Sequence, residues 1–186
     1  GRQRVALART VLTCPRLILL DEPLTGLDEG TKFQIIPYLK RVFSEFGIPL
    51  MFISHSMLEM QMMTDQTLVV DQGRIAEISR TESLARSTWD MNGRQGYVNL
   101  LNLGSARPRS DLFAYDWGET ELILTEPSSG DENLFELDAR EIILFKRHPE
   151  ATSARNLLRC RVRQLYTSGN RVRVELVSGE DQLIAQ

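Results

Sequence analysis

Apolar positions recur along this chain with two different periods, and the change of period divides it. In the first half, Val5, Leu7, Ala8, Val11 and Leu12 fall near helical spacing with arginines on the other faces. That pattern predicts a helix over residues 2–13, ended by Cys14-Pro15. Leu17-Ile18-Leu19-Leu20 is a continuous apolar run and predicts a buried strand over residues 17–21. A long helix over 29–46 follows, with Pro37 as a kink or an interruption. Residues 50–54 read as the next strand and 56–63 as a Met-rich helix. Met57, Met60, Met62 and Met63 read as adaptable core rather than as ligands. Leu68 to Glu77 reads as a hairpin turning at Gln72-Gly73, Thr81 to Arg86 as a short helix, and Asp90 to Arg94 as a linker.

Beyond the linker the runs shorten and alternate. Asp111–Tyr115, Glu121–Leu124, Leu134–Leu137, Glu141–Phe145, Cys160–Leu165 and Val172–Leu176 are candidate strands. Turn signals separate them at Trp117-Gly118, Pro127 to Gly130, His148-Pro149 and Ser168-Gly169-Asn170. Short strands at this spacing predict a small β-barrel. Arg171 to Val177 alternates, which predicts Arg171, Arg173 and Glu175 outward and the residues between them inward. The expected organisation is an α/β region over residues 1–92 and an all-β region over 93–186.

Composition narrows the function classes. The 186 residues are 42% apolar, enough for one or two globular domains. A net charge of −3 gives no electrostatic case for a nucleic-acid partner. No apolar run has the length needed to span a bilayer, and no signal-peptide pattern is visible. Cys14 and Cys160 lack metal-ligand spacing and read as ordinary cytosolic thiols.

The chemistry concentrates where the first strand ends. Asp21 and Glu22 stand at its carboxyl end, where open α/β sheets bind ligands. An acid there can hold Mg2+ through water, and its neighbour can orient an attacking water, the equipment of phosphoanhydride hydrolysis. The bland alternative is a buried strand entering a turn. The second apolar run, Pro49 to Ile53, ends at Ser54-His55, so His55 also follows a strand. A capping or core histidine is the ordinary reading of such a position. Asp28 likewise suits an N-cap for the helix that starts near Glu29.

Together these residues resemble the second half of an ABC-transporter ATPase domain. Gly1-Arg2-Gln3-Arg4 is similar to the tail of the family signature, whose leading Leu-Ser-Gly-Gly is absent. Asp21 and Glu22 match the Walker B Asp and the catalytic Glu. Leu24-Thr25-Gly26-Leu27-Asp28 matches the D-loop, and His55 the switch histidine. The resemblance implies ATP and Mg2+ as cofactors, with Asp21 on the metal and Glu22 as base. It implies that His55 senses the γ-phosphate, and that Gly1, Arg2, Gln3 and Asp28 serve nucleotide across a head-to-tail homodimer. A phosphate-cradling loop needs Gly-x-x-x-x-Gly-Lys-Ser/Thr. The nearest imitation, Gly26 to Lys32, has short glycine spacing and inverts Thr and Lys, so it is rejected. The Walker A loop and Q-loop are therefore expected before position 1, and the chain by itself is expected neither to bind ATP tightly nor to hydrolyse it.

A second cluster lies at Thr152-Ser153-Ala154-Arg155-Asn156, ahead of the strand entered through Leu157 to Val162. Hydroxyls, a guanidinium and an amide form a donor set suited to a small oxyanion. A polar turn capped by Ser is the bland reading. Ser-Ala-Arg-Asn before an apolar strand resembles the opening of a molybdate-binding, Mop-like OB barrel. Such a barrel follows the ATPase domain in molybdate-importer ATPase subunits. That implies Ser153, Arg155, Asn156 and the Ala154 N–H as oxyanion contacts. The family completes this site with Lys and Ser residues late in the barrel, expected beyond Gln186. Ser105-Ala106-Arg107-Pro108 imitates the motif with Pro in place of Asn and reads as a turn.

The resemblance as a whole implies the ATPase subunit of a molybdate importer. Its expected place is the cytoplasmic face of the inner membrane, as a homodimer on permease subunits that a periplasmic binding protein serves. An importer ATPase for sulfate, iron or a sugar is the nearest alternative. A non-catalytic oxyanion-binding or dimerisation fragment is the alternative from another class.

Overall fold

The computed structural model describes residues 9–10, 12–13, 15–88, 96–127 and 133–186. The chain divides into two compact units, Gly1–Ala85 and Arg86–Gln186. The first is α/β, and the regular elements described in the second are almost all strands. The expected helix over 2–13 and the linker at Asp90–Arg94 fall mainly outside the described residues, although Arg9, Thr10 and Leu12 are helical.

In the first unit, β1 (Ile18–Asp21) pairs in parallel with β2 (Leu50–Ile53), with Ile18 opposite Leu50 and Asp21 opposite Ile53. Parallel neighbours need a long crossover, and α1 (Glu29–Glu45) supplies it. Helix α1 starts at Asp28, whose extended backbone and side chain make the N-cap, and it runs through Pro37 without a break. Its buried Ile36, Leu39 and Phe43 lie on one face, at the i, i+3, i+7 positions of an amphipathic stripe. Ile18, Leu20, Leu24, Met62, Met63 and Ala85 are the other buried apolar residues among those described here. The prediction that β1 is buried throughout is corrected: Leu19 is 64% exposed. Burial alternates along β1, Ile18 and Leu20 inward and Leu19 and Asp21 outward, so among the described residues one face of the strand is packed.

Helix α2 (Met57–Met63) follows β2, capped by Ser56. Strands β3 (Gln66–Asp71) and β4 (Arg74–Arg80) form the expected hairpin. Gln72 and Gly73 both have positive φ, +46° and +74°, the conformation of the two-residue turn that matches strand twist. Helix α3 covers Thr81–Ser87.

Among the described residues the second unit contains three small antiparallel sheets. Strand β5 (Val98–Asn102) pairs with β9 (Leu134–Asp138). Strands β6 (Arg107–Arg109), β7 (Leu112–Trp117) and β8 (Thr120–Leu124) form one meander. Strands β10 (Arg161–Ser168), β11 (Arg171–Ser178) and β12 (Asp181–Ala185) form another. They enclose one core of Leu101, Leu103, Tyr115, Trp117, Leu122, Leu176, Leu183 and Ala185. The Tyr115 ring meets Phe135 edge-on, with centroids 5.0 Å apart. Asn99, buried on β5, accepts the Ile184 N–H at 2.7 Å and donates to the Ile184 carbonyl at 2.9 Å, joining β5 to β12. Among the described residues the ladders do not close into a barrel.

Three sequence expectations fail in this unit. Glu141–Phe145 is not a strand: a 3-10 turn covers Ala139–Glu141, with Asp138 capping the Arg140 N–H. Ile143, Leu144 and Phe145 then run exposed, because nothing in the described ladders pairs with them. Ser105–Pro108 is not simply a turn, since β6 begins at Arg107, which pairs with Asp116 and Glu121. Of the polar residues of β11, Arg171 is outward as expected, but Arg173 and Glu175 are not. Arg173 and Glu175 are each 2% exposed, while Val172 is exposed. Glu175 accepts from Arg86 at 3.1 Å, Arg163 at 3.3 Å and Tyr166 at 2.9 Å. Arg173 donates to Gln186 and to the carbonyls of Arg86 and Thr88, and it lies over the Tyr97 ring. Burial pulls its guanidinium below the ordinary value.

Candidate functional site

The parallel pairing of β1 with β2 decides what can meet at their carboxyl ends. Asp21 is the last residue of β1 and lies opposite Ile53, the last of β2. One residue on, the Glu22 N–H donates to the Ile53 carbonyl at 2.9 Å, so the ladder is extended as the chain turns away. Glu22 takes φ +42°, a left-handed conformation uncommon outside glycine that often marks a functional turn. Two residues after Ile53, His55 stands on the neighbouring strand end. Its Nδ1 lies 3.0 Å from Glu22 Oε1. An ionised carboxylate can only accept, so Nδ1 carries the proton of this bond.

Thr25 Oγ1 donates to the other oxygen of Glu22 at 3.2 Å. These hydrogen bonds hold the Glu22 carboxyl below the usual range, His55 contributing most and Thr25 next. Both partners stay open to solvent, with His55 79% and Glu22 47% exposed. Asp21 is exposed beside them. An exposed carboxylate at a strand end, with a second carboxylate next in sequence, suits a cation that keeps several of its waters.

Asp28 is placed by its own helix. Its Oδ1 accepts the Thr31 N–H at 2.9 Å and its Oδ2 the Thr31 hydroxyl at 2.7 Å. Those bonds, the hydroxyl first, keep the carboxyl below its ordinary value. The imitation of a phosphate loop is dissolved by the same cap, because Thr31 and Lys32 are helical and already bonded. Gly1, Arg2 and Gln3 lie outside the described residues.

Three residues near the site escaped the sequence reading. Ser54 donates to Glu59 Oε2 at 2.6 Å and accepts the Ser56 N–H at 3.0 Å. Lys32 lies 3.0 Å from Glu59 Oε1. The pattern Ser56-Met57-Leu58-Glu59 is a capping-box signature, the signal that could have found Glu59.

The oxyanion candidates stand elsewhere, in the second unit. Ser153, Ala154, Arg155 and Asn156 are all exposed. The Ala154 N–H donates to the Thr152 hydroxyl at 3.0 Å. The Asn156 carboxamide accepts the Ile123 N–H at 2.7 Å and donates to the Ile123 carbonyl at 3.0 Å, extending the edge of β8.

Comparison with known proteins now bears on this geometry. No family model matches the chain. The proteins called molybdenum import ATP-binding protein ModC in Escherichia coli strain K12 and Shigella boydii are 32% identical to it over 192 aligned positions. The ModC protein of Shigella flexneri is equally similar. The chain is homologous to these ModC proteins. The alignment takes in all of the chain and 54% of each relative, so the chain spans about half the length of the curated relatives it matches. Homology to ModC therefore covers both units, the one that carries Asp21, Glu22 and His55 and the one that carries Ser153 to Asn156. No helix among the described residues is long and apolar enough to cross a membrane.

Proposed function

We propose that these residues belong to the ATP-hydrolysing subunit of an ABC importer for molybdate. The observation that carries the reading is the Glu22–His55 contact at 3.0 Å across two parallel strand ends, beside Asp21, in a homologue of ATP-binding proteins. Residues 1–92 are then the later part of the ATPase domain and 93–186 an accessory Mop-like region. Asp21 would hold Mg2+ through water, and the ion would supply charge neutralisation on the phosphates. Glu22 takes the proton of the attacking water at a carboxylate oxygen. Its carboxylate, ordinarily ionised at neutral pH, is held further below that range by His55 and Thr25. His55 donates to Glu22 through Nδ1, and in its doubly protonated form it donates from Nε2 to a phosphate oxygen as well. Asp28, with Gly1, Arg2 and Gln3, serves the nucleotide at the interface of a homodimer. Permease subunits and a periplasmic binding protein complete the importer, with this subunit on the cytoplasmic face of the inner membrane. Ser153, Ala154, Arg155 and Asn156 sense oxyanion.

Titration calorimetry on the whole protein, molybdate against sulfate, tests the substrate. Molybdate heat that Ser153→Ala with Arg155→Ala abolishes supports the reading. A second reading, an importer ATPase for another solute such as sulfate, iron or a sugar, is favoured by one observation. The Ala154 N–H and the Asn156 carboxamide are already engaged within the chain. Absence of molybdate heat, with ATPase activity intact, selects that reading.

A further inference from the structure

The capping box of α2 is wired differently from its usual form. In that form the Glu three residues after the N-cap reaches back to the N-cap N–H. Here the Ser56 N–H goes instead to Ser54 Oγ at 3.0 Å. The Ser54 hydroxyl in turn donates to Glu59 Oε2 at 2.6 Å. Ser54 and Ser56 flank His55, so this pair of bonds clasps the loop from which the imidazole projects. Glu59 still receives the Ser56 cap at its own N–H, at 3.3 Å, while its side chain is buried.

A buried carboxylate needs a countercharge, and Lys32 provides it at 3.0 Å from Oε1. Lys32 is also mostly buried. Its ammonium is held above its ordinary value, the Glu59 hydrogen bond contributing most. Lys32 belongs to the first turn of α1, and its N–H donates to the Asp28 carbonyl at 3.0 Å. The sequence of contacts thus runs from the start of α1, through Lys32, Glu59 and Ser54, to the loop that presents His55 to Glu22.

We infer that Glu59, clamped by Lys32, is a positioning residue that fixes the Ser54–Ser56 loop so that His55 meets Glu22. The inference rests on the roles proposed above for Glu22 and His55. Its consequence is that orientation of His55 is tied to the first turn of the helix that Asp28 caps. A geometric loss of this kind lowers turnover far more than nucleotide affinity, because Glu59, Lys32 and Ser54 are assigned no contact with nucleotide and act only through the aim of His55.

Steady-state ATP hydrolysis by the full-length protein carrying Glu59→Ala, Glu59→Gln, Lys32→Met, Ser54→Ala or His55→Ala tests this, with folding of each checked by circular dichroism. Glu59→Ala is expected to lower kcat roughly tenfold with KM for ATP within about twofold of wild type. Glu59→Gln keeps an oxygen for the Ser54 hydroxyl and should retain all but about two- to threefold of kcat. If Glu59→Ala does not fold, Lys32→Met and Ser54→Ala carry the test, each with about a threefold loss in kcat alone. A folded Glu59→Ala with wild-type kcat, beside a crippled His55→Ala, overturns the inference and leaves the reading of His55 standing. Equal losses in Glu59→Ala and Glu59→Gln accompanied by a raised KM also overturn it, since they mark general disruption. A wild-type kcat in His55→Ala sinks the reading of His55 and the inference together.

Discussion

Glu22 and Glu175 both accept from more than one side chain, yet they live in opposite surroundings. Glu22 projects from a turn with nearly half its side chain open and, among the described residues, receives His55 and Thr25. Glu175 is 2% exposed and receives two guanidinium groups and a phenol. The buried carboxylate has its hydrogen bonds completed from within the chain, as burial requires. The exposed one keeps acceptor capacity that faces solvent, open to a ligand. The contrast separates charge that builds the fold from charge that is presented. It also explains why the large group of arginines in the second unit is a poor guide to function. Arg86 and Arg173 are committed to a carboxylate, to carbonyls and to a ring.

Substitution should break the two carboxylates in different observables. Glu22→Gln is expected to lower ATP turnover by the whole protein roughly a hundredfold or more, as loss of a general base does. Its thermal midpoint should stay where it was, because the side chain is exposed. A turnover within a few-fold of wild type would remove Glu22 from the chemistry. Glu175→Ala should do the reverse. Removing one member of a buried, paired set costs about 3 kcal/mol, since Arg86 and Tyr166 lose their acceptor. Urea unfolding followed by tryptophan fluorescence reads this directly, with Trp117 in the affected core. A loss under about 1 kcal/mol would place Glu175 with the ordinary surface charges.

Asn99 offers a smaller test of the same distinction with a neutral group. Its carboxamide joins β5 to β12 through both the N–H and the carbonyl of Ile184. Asn99→Ala leaves those two buried backbone groups without that partner and is expected to cost about 2 kcal/mol in urea unfolding. Loss of amide-exchange protection at Ile184 should accompany it. Protection unchanged at Ile184 would show that the bridge does not hold β12.

Much of the first unit was legible because its signals are local. The apolar run into Asp21-Glu22, the Asp28 cap with Thr31 three residues on, and the Gln72-Gly73 turn each declare themselves within a few residues. The Glu22–His55 meeting needed only the inference that two strands separated by a helix are parallel neighbours. The second unit was less legible because its decisive partners are distant. Nothing near Glu175 in sequence announces Arg86, 89 residues away, so the alternation of Arg171 to Val177 placed Arg171 correctly and Arg173 and Glu175 wrongly. The run Ile142 to Phe145 has apolar content without a partner ladder, and content alone does not make a strand. Strands β5 and β12 were missed although Val98-Asn99-Leu100-Leu101 and Leu183-Ile184-Ala185 carry a strand's composition. Asn99, the polar residue inside the first of these, is the group that joins them. Glu59 lay between these cases, its capping-box pattern readable and its pairing with Lys32 not.

The finest test concerns Thr25, which touches Glu22 without belonging to the ion pair. Glu22 is depressed in the folded protein, so its carboxylate persists below the ordinary range and turnover falls only as pH drops through that lowered value. Thr25 supplies the second-largest cause of the depression and His55 the largest. Thr25→Ala should therefore move the acid limb of the kcat–pH profile upward, toward the ordinary carboxylate range, while kcat at neutral pH changes by no more than about twofold. His55→Asn should move the same limb further in the same direction, and it should also lower the plateau because the ring itself is lost. The order of the two shifts is the discriminating result. If Thr25→Ala moves the limb as far as His55→Asn, the Glu22–His55 bond is not what tunes the carboxylate in solution. If neither moves it, the limb belongs to another group and Glu22 is not the base whose ionisation the profile reports.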